Sequence, residues 1–163
     1  MGNLSIMAHL HPEAPGTVAK LLIPIDATDE SRWGLQYAIR RAKAGTAVEA
    51  YLLYVAEPVR NWQVLRFYTE EEIRRHFQER SAIFLEEACM PLREAGIPCQ
   101  TYFREADAVQ GVIDLAEELN CTAIVVPRTL WLGVFPAGLG RQLMNHRCAV
   151  PVMLTTSDGS NAS

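Results

Sequence analysis

The 163-residue sequence has no apolar run near the ~18 residues that a membrane-crossing helix needs, and its opening MGNLSIMAHLHPEAPGTVA holds no basic residue before Lys20. That opening reads as neither an anchor nor a secretory signal. It also fails as a myristoylation site, because the required hydroxyl position is Ile6 and the serine stands one place early, at Ser5. Closely spaced cysteines are missing too: Cys89, Cys99, Cys121 and Cys148 form no C-x-x-C pair. Neither a zinc site nor a disulfide framework is expected from such spacing, and the four are read as reduced, mostly buried thiols, which fits a cytoplasmic protein. Positive charge is not concentrated. The net charge is −4, and basic residues fall in short clusters (Arg40, Arg41, Lys43; Arg74, Arg75), so no face for nucleic acid is expected.

Histidine is scarce and scattered. His9 and His11 make an H-x-H pair in the N-terminal stretch, read as accidental rather than metal-binding. His76 is read as a boundary residue. His146 is read as complementing the dipole at the end of the last helix, in preference to ligation with Cys148. No Ser/His/Asp or Cys/His set and no compelling carboxylate pair emerges, so neither catalytic residues nor a metal site are assigned.

What the chain does contain is an alternation of strand-like and helix-like segments. KLLIPID (20–26), VEAYLLYV (48–55), IPCQTYF (97–103), CTAIVVP (121–127) and VPVMLT (150–155) are apolar and strand-like. Between the first two, Leu35, Ala38, Ile39 and Ala42 recur at helical spacing. Thr28 or Asp29 is placed to cap that helix and Gly45 to end it. A long connection, AEPVRNWQVLRFY, leads into a second helix opened by the capping box Thr69–Glu72. Its expected buried stripe is Ile73, Phe77, Phe84 and Ala88, with a kink at Pro91 and an end at Gly96 and Pro98. Val109, Val112, Ile113 and Ala116 mark a third helix, and a short one is expected near 138–147.

Alternation of this kind implies right-handed crossovers and a parallel sheet covered on both faces. The expectation is a single doubly wound α/β domain over 19–156, with five strands ordered 3-2-1-4-5. Residues 1–18 and 157–163 are expected to be flexible tails. At this size such a domain buries roughly 70% of its unfolded surface. Ligands of doubly wound sheets sit beyond the carboxyl ends of strands, where strand order reverses. Here that point lies between strands one and four, so Asp26 and the stretch IVVPRTLWLGVFPAGLG (124–140) should face one crevice.

Strand-end chemistry then discriminates. A phosphorylatable receiver domain needs an acidic pair after strand one, an aspartate after strand three and a lysine after strand five; this sequence offers Asp26 alone, then Arg104, then Thr155. A flavodoxin needs a glycine-containing phosphate loop where ATDES stands. By contrast, KLLIPIDATDESRWGLQYAIRRAKAG, LREAGIP, AVQGVIDLAEELNCTAIVVP and GRQLMNHRCAVPVML, in that order, resemble segments of the universal stress protein family. The resemblance runs from about Lys20 to Thr155. It implies a stress-linked regulatory or binding role without catalysis, and in some members ATP binding.

ATP-binding members carry Gly-x-x-Gly, nine residues, then Gly followed by Ser or Thr, after strand four. Glycine permits positive φ and close approach, so amides and a hydroxyl can donate to phosphates. In the same register this chain holds Pro127, Leu130, Gly140 and Arg141. Pro127 has no N–H to donate, Leu130 puts a branched side chain where backbone should approach, and Arg141 replaces a small hydroxyl. Ordinary ATP binding is therefore not expected, and no cofactor is assigned. The resemblance also places Pro24, Asp26 and Ala50 at pocket positions, Ala50 against an adenine ring. A strand-end aspartate serves equally as a turn or cap residue.

Arg128 with Arg141 offers a place for a small anionic ligand, although two solvated arginines are the plainer reading. Trp62, Phe67 and Tyr68, with Trp131 and Phe135, are read as plugging the crevice, and alternatively as a site for a protein partner. Strand 150–155 is short, apolar and uncharged at an edge of the sheet, and is expected to pair two copies into a homodimer.

Overall fold

Each of the five expected strands pairs in parallel with its neighbours, and the order is β3-β2-β1-β4-β5. The computed structural model describes residues 16–128 and 139–162. β1 is Ala19–Pro24, β2 Val48–Ala56, β3 Cys99–Glu105, β4 Ala123–Pro127 and β5 Val152–Thr155. The helices are α1 (Trp33–Lys43), α2 (Trp62–Leu65), α3 (Glu70–Glu94), α4 (Ala108–Glu118) and α5 (Leu139–Asn145), with a 3₁₀ turn over Glu30–Arg32 ahead of α1.

Central parallel strands are covered on both faces and so are apolar throughout. Leu21, Ile23, Leu52 and Val125 pack against Leu35 and Ala38 of α1 and Leu85, Ala88 and Leu92 of α3. On the opposite face, Leu22, Leu53, Ile124 and Val126 pack against Val109, Val112, Ile113 and Ala116 of α4 and Leu143 of α5. The full α4 stripe read from spacing is buried. Of the α1 stripe, Leu35 and Ala38 are buried, while Ile39 and Ala42 are half-buried at its margin.

Neither Thr28 nor Asp29 caps α1 with its side chain; the 3₁₀ turn intervenes, and Arg32 occupies the N-cap position. The expected capping box is formed. Thr69 Oγ1 accepts from Glu72 N–H at 3.1 Å, and Glu72 Oε2 accepts from Thr69 N–H at 2.8 Å. α3 runs unbroken through Pro91 to Glu94, and Gly96 follows with φ +76°. Its buried positions begin only at Ser81, so Ile73 and Phe77 are half-buried rather than core. The cause is length. Twenty-five helical residues span roughly 37 Å, whereas the seven of β3 span roughly 23 Å, so the first turns of α3 overhang the sheet.

Two other expectations are corrected. Cys89 and Cys99 are joined as a disulfide, with Cα atoms 6.0 Å apart, rather than being two reduced thiols. The connection after α3 turns the chain back, which lays the start of β3 under the helix and brings together cysteines that no short motif would pair. Cys121 is a buried free thiol and Cys148 a half-buried one. Residues 157–162 are not a loose tail. Beyond β5 the chain turns and folds back: Thr156 N–H donates to Ser160 O, and Asn161 bridges Thr155 in antiparallel sense. The N-terminal tail expectation for 1–18 falls largely outside the described residues. No described helix is long and apolar enough to cross a membrane.

Candidate functional site: the crevice where strand order reverses

β1 and β4 are neighbours in the sheet, yet the helices that follow them, α1 and α5, pack on opposite faces, and a crevice of about 350 Å³ opens beyond the strands' carboxyl ends. Its floor is apolar, from Pro24, Leu53, Val55, Val112, Val126 and Pro127, and Ala108 at the start of α4 and Leu139 and Gly140 of α5 form walls. Its described polar lining is Asp26, Thr28, Glu30 and Ser31. Among the described lining residues two are carboxylates and none is Lys or Arg, so the Asp26–Glu30 side of the mouth disfavours phosphate.

Asp26 stands two residues past the end of β1 and is exposed. Its Oδ1 accepts from the Thr28 hydroxyl at 2.5 Å and the Thr28 amide at 2.7 Å. The Asp26 amide donates to Ser31 Oγ at 3.2 Å, and Ser31 Oγ donates to Thr28 O at 2.8 Å. Ser31 is buried by this arrangement. Asp26 therefore lines the crevice while also holding the turn between β1 and the 3₁₀ turn.

The remaining sequence-derived positions divide. Pro24 ends β1, buried opposite Leu53, where its missing N–H disturbs the ladder least. Pro127 ends β4 and borders the crevice. Gly140 is buried in the first turn of α5. A Cβ there would lie 3.0 Å from both Leu154 Cδ2 and Val126 Cγ2, so close packing of α5 on β4 and β5 favours a glycine. Arg128 and Arg141 are both exposed, and the Arg128 amide donates to Thr155 O at 2.7 Å, extending the β4–β5 ladder. Leu130, Trp131 and Phe135 lie outside the described residues.

Ala50 is not at the crevice. It sits mid-β2, paired with Leu21 and Cys99 and 1% exposed within the α1–α3 core. Leu53 and Val55, further along β2, line the crevice instead. The register with Pro24 is the signal that would have found them, since Leu53 lies directly opposite.

For Trp62, Phe67 and Tyr68 the plug is also corrected, while Trp131 and Phe135 lie outside the described residues. Trp62, Phe67 and Tyr68 are 64%, 76% and 60% exposed and do not fill the crevice. They stand on α2 and on the link that joins it to α3, where Arg66 lies over the rings of Trp62 and Phe67. A separate groove beside them is lined by Val64, Tyr68, Ile73, His76 and Phe77. His146 follows α5 and is exposed. Among the described residues, no group of three or more His, Cys, Asp or Glu side chains is placed to hold a metal ion.

The sequence pattern of the Universal stress protein family matches residues 17–136. Among solved structures, a protein from that family from Burkholderia pseudomallei is similar at 17% identity, over 83% of this chain and 94% of its own, with a TM-score of 0.65. The universal stress protein from Archaeoglobus fulgidus in complex with dAMP is similar at 16% identity, over 85% of this chain and 98% of its own, with a TM-score of 0.60. An Arabidopsis thaliana family protein with AMP bound is similar at 14% identity, over 85% of this chain and 91% of its own, with a TM-score of 0.57. Among curated proteins, none matches. At these identities the structural likenesses speak to the fold.

Proposed function

The chain belongs to the universal stress protein family, and from that premise we propose that it acts as a non-catalytic stress-response regulatory or binding module that does not hold ATP tightly. One observation carries the reading. The described rim of the crevice offers carboxylates and a proline where phosphate needs donors: Asp26 and Glu30 line it, and Pro127 stands at the first glycine position of the family's phosphate loop. Gly140, the one glycine of that motif present here, is accounted for by its contacts with Val126 and Leu154. The proposed setting is the cytoplasm.

A second reading has a specific observation behind it. The crevice is open at about 350 Å³, within the usual range of small-molecule sites. The A. fulgidus and A. thaliana proteins of the same fold carry dAMP and AMP. A nucleotide held mainly through its base and ribose, with altered phosphate contacts, is the alternative. Arg128 and Arg141 are its candidate anion contacts.

Calorimetry with magnesium-ATP and with AMP on nucleotide-free protein tests both. Losing a hydrogen bond to a charged group costs about 1.5–3 kcal/mol, and about 1.4 kcal/mol is tenfold in affinity. Two such losses move a micromolar ATP site to the millimolar range, which is the expected result. Low-micromolar ATP binding by the wild type overturns the proposal, and AMP binding much tighter than ATP binding selects the alternative. The folded triple variant Pro127→Gly, Leu130→Gly, Arg141→Ser should gain ATP affinity if the loop is a disabled phosphate cradle.

A further inference from the structure

The free edge of β5 is not bare. Ile124 N–H donates to Pro151 O and Arg128 N–H to Thr155 O, so parallel alternation turns the backbone groups of Val152 and Leu154 away from β4. On that outer side Leu154 O accepts from Ala162 N–H at 2.8 Å, and Asn161 bridges Thr155. The chain's own C-terminal segment has taken part of the place a neighbouring strand would occupy.

This segment is fastened from behind. The Asp158 carboxylate accepts from the Thr156 hydroxyl at 2.6 Å, from the Ser160 hydroxyl at 2.7 Å and from the Ser160 amide at 2.9 Å. Its other oxygen lies 3.5 Å from Arg40 of α1. Gly159, with φ +77°, is buried directly against the α1 backbone. A Cβ there would stand 2.5 Å from Gln36 C and 2.6 Å from Tyr37 N, contacts that no side-chain rotation relieves. Only glycine fits this conformation and this approach together.

Beneath the segment lies a surface suited to edge pairing. Val152, Met153 and Leu154 are half-buried, uncharged and apolar. Met144 of α5, 59% exposed, continues the apolar surface beside the start of β5. An edge of this kind, with outward N–H and C=O groups, is a template for another strand. A second copy of the same edge, related by a two-fold axis, satisfies both sets of groups at once.

We infer that residues 156–162 form a self-clip that occupies the β5 edge through Asn161 and Ala162 and holds back edge-to-edge pairing with a second copy of this chain, so that the homodimer through 150–155 forms when the clip is released. The clip and a partner strand compete for the same Leu154 carbonyl. Its release breaks that bond and the anchoring of Gly159 on α1, and the partner restores a longer ladder.

Sedimentation equilibrium tests this on the full chain, Gly159→Val, the 157–163 deletion, Ala162→Pro, and Gly159→Val combined with Val152→Lys. Gly159→Val and the deletion each open the clip and should raise the dimer association constant at least tenfold over wild type. Ala162→Pro removes only the bond to Leu154 O, so it should shift association in the same direction by less while the fold is retained. Val152→Lys places charge on the edge and should abolish the gain. The inference is overturned if the folded clip variants associate no more strongly than wild type, or if their gain survives Val152→Lys. Should Gly159→Val and the deletion both fail to fold, an unchanged association constant in Ala162→Pro overturns it alone.

Discussion

Cys89 of α3 is covalently joined to Cys99 at the start of β3, across a turn that brings their Cα atoms to 6.0 Å. The bridge ties the buried half of α3 to an edge strand, whereas Cys121 is sealed in the opposite core, where burial pushes its thiol up to about 11. Thiol titration of protein purified without reductant should therefore find two thiols in denaturant, and four after reduction. Under native conditions Cys148 should react first and Cys121 only on unfolding. Four free thiols before any reductant would contradict the bridge.

Gly140 separates packing from ligand binding. Its neighbours Val126 and Leu154 stand where a methyl group would go, and Val126 is fully buried with a stiff β-branched side chain. Gly140→Ala should cost about 1 kcal/mol through overpacking, lowering the thermal midpoint by about 2–4 °C, with nucleotide affinity unchanged. A fall in affinity without a fall in stability would return Gly140 to the phosphate site.

Burial governs a second contrast. Leu92, on the buried face of α3, is 0% exposed, whereas Phe67, between α2 and α3, is 76% exposed. Leu92→Ala should lose about 2–5 kcal/mol in urea unfolding, and Phe67→Ser should stay within about 0.5 kcal/mol. A large loss at Phe67 would show that the aromatic connection is a structural plug after all.

Tyr51 supplies an alkaline signature. It is 8% exposed and donates to Glu49 Oε2 at 2.8 Å. Burial first, and the bond to the Glu49 carboxylate second, push its phenol up to about 12. The folded pKa is raised above the unfolded value of about 10, so the contribution is complete below about pH 10 and is lost as pH rises through about 12. Urea unfolding of wild type should weaken over that window more steeply than Tyr51→Phe. Parallel slopes would remove Tyr51 from the account.

Local pattern and tertiary placement explain which expectations survive. Val109, Val112, Ile113 and Ala116 announce α4 because both their spacing and their burial come from one helix face. Ile73 and Phe77 carry the same spacing, but spacing does not say whether a sheet lies opposite, and α3 outruns it. Pro127 and Arg141 are read against a phosphate loop by residue type, in sequence alone. Ala50 lies away from the crevice, and a position within a strand fixes its depth only once the register with β1 is known. The turn Thr156–Asn161 has the polar, glycine-containing composition of a loose tail; what folds it is the approach of Gly159 to α1, a contact more than a hundred residues away in the chain.

The regular ladder between β1 and β2 runs the whole length of β1, from Ala19 opposite Val48 to Pro24 opposite Leu53. Between β1 and β4 it covers only Leu21 opposite Ala123 and Leu22 opposite Ile124. The sheet is thus sewn unevenly, with its shortest seam where the crevice opens. Amide hydrogen exchange has a natural dividing line there. β4, α5 and β5 can part from the first three strands as one cooperative unit at less cost than global unfolding, and a ligand bridging Asp26 to Pro127 would slow exchange on both sides of the seam together.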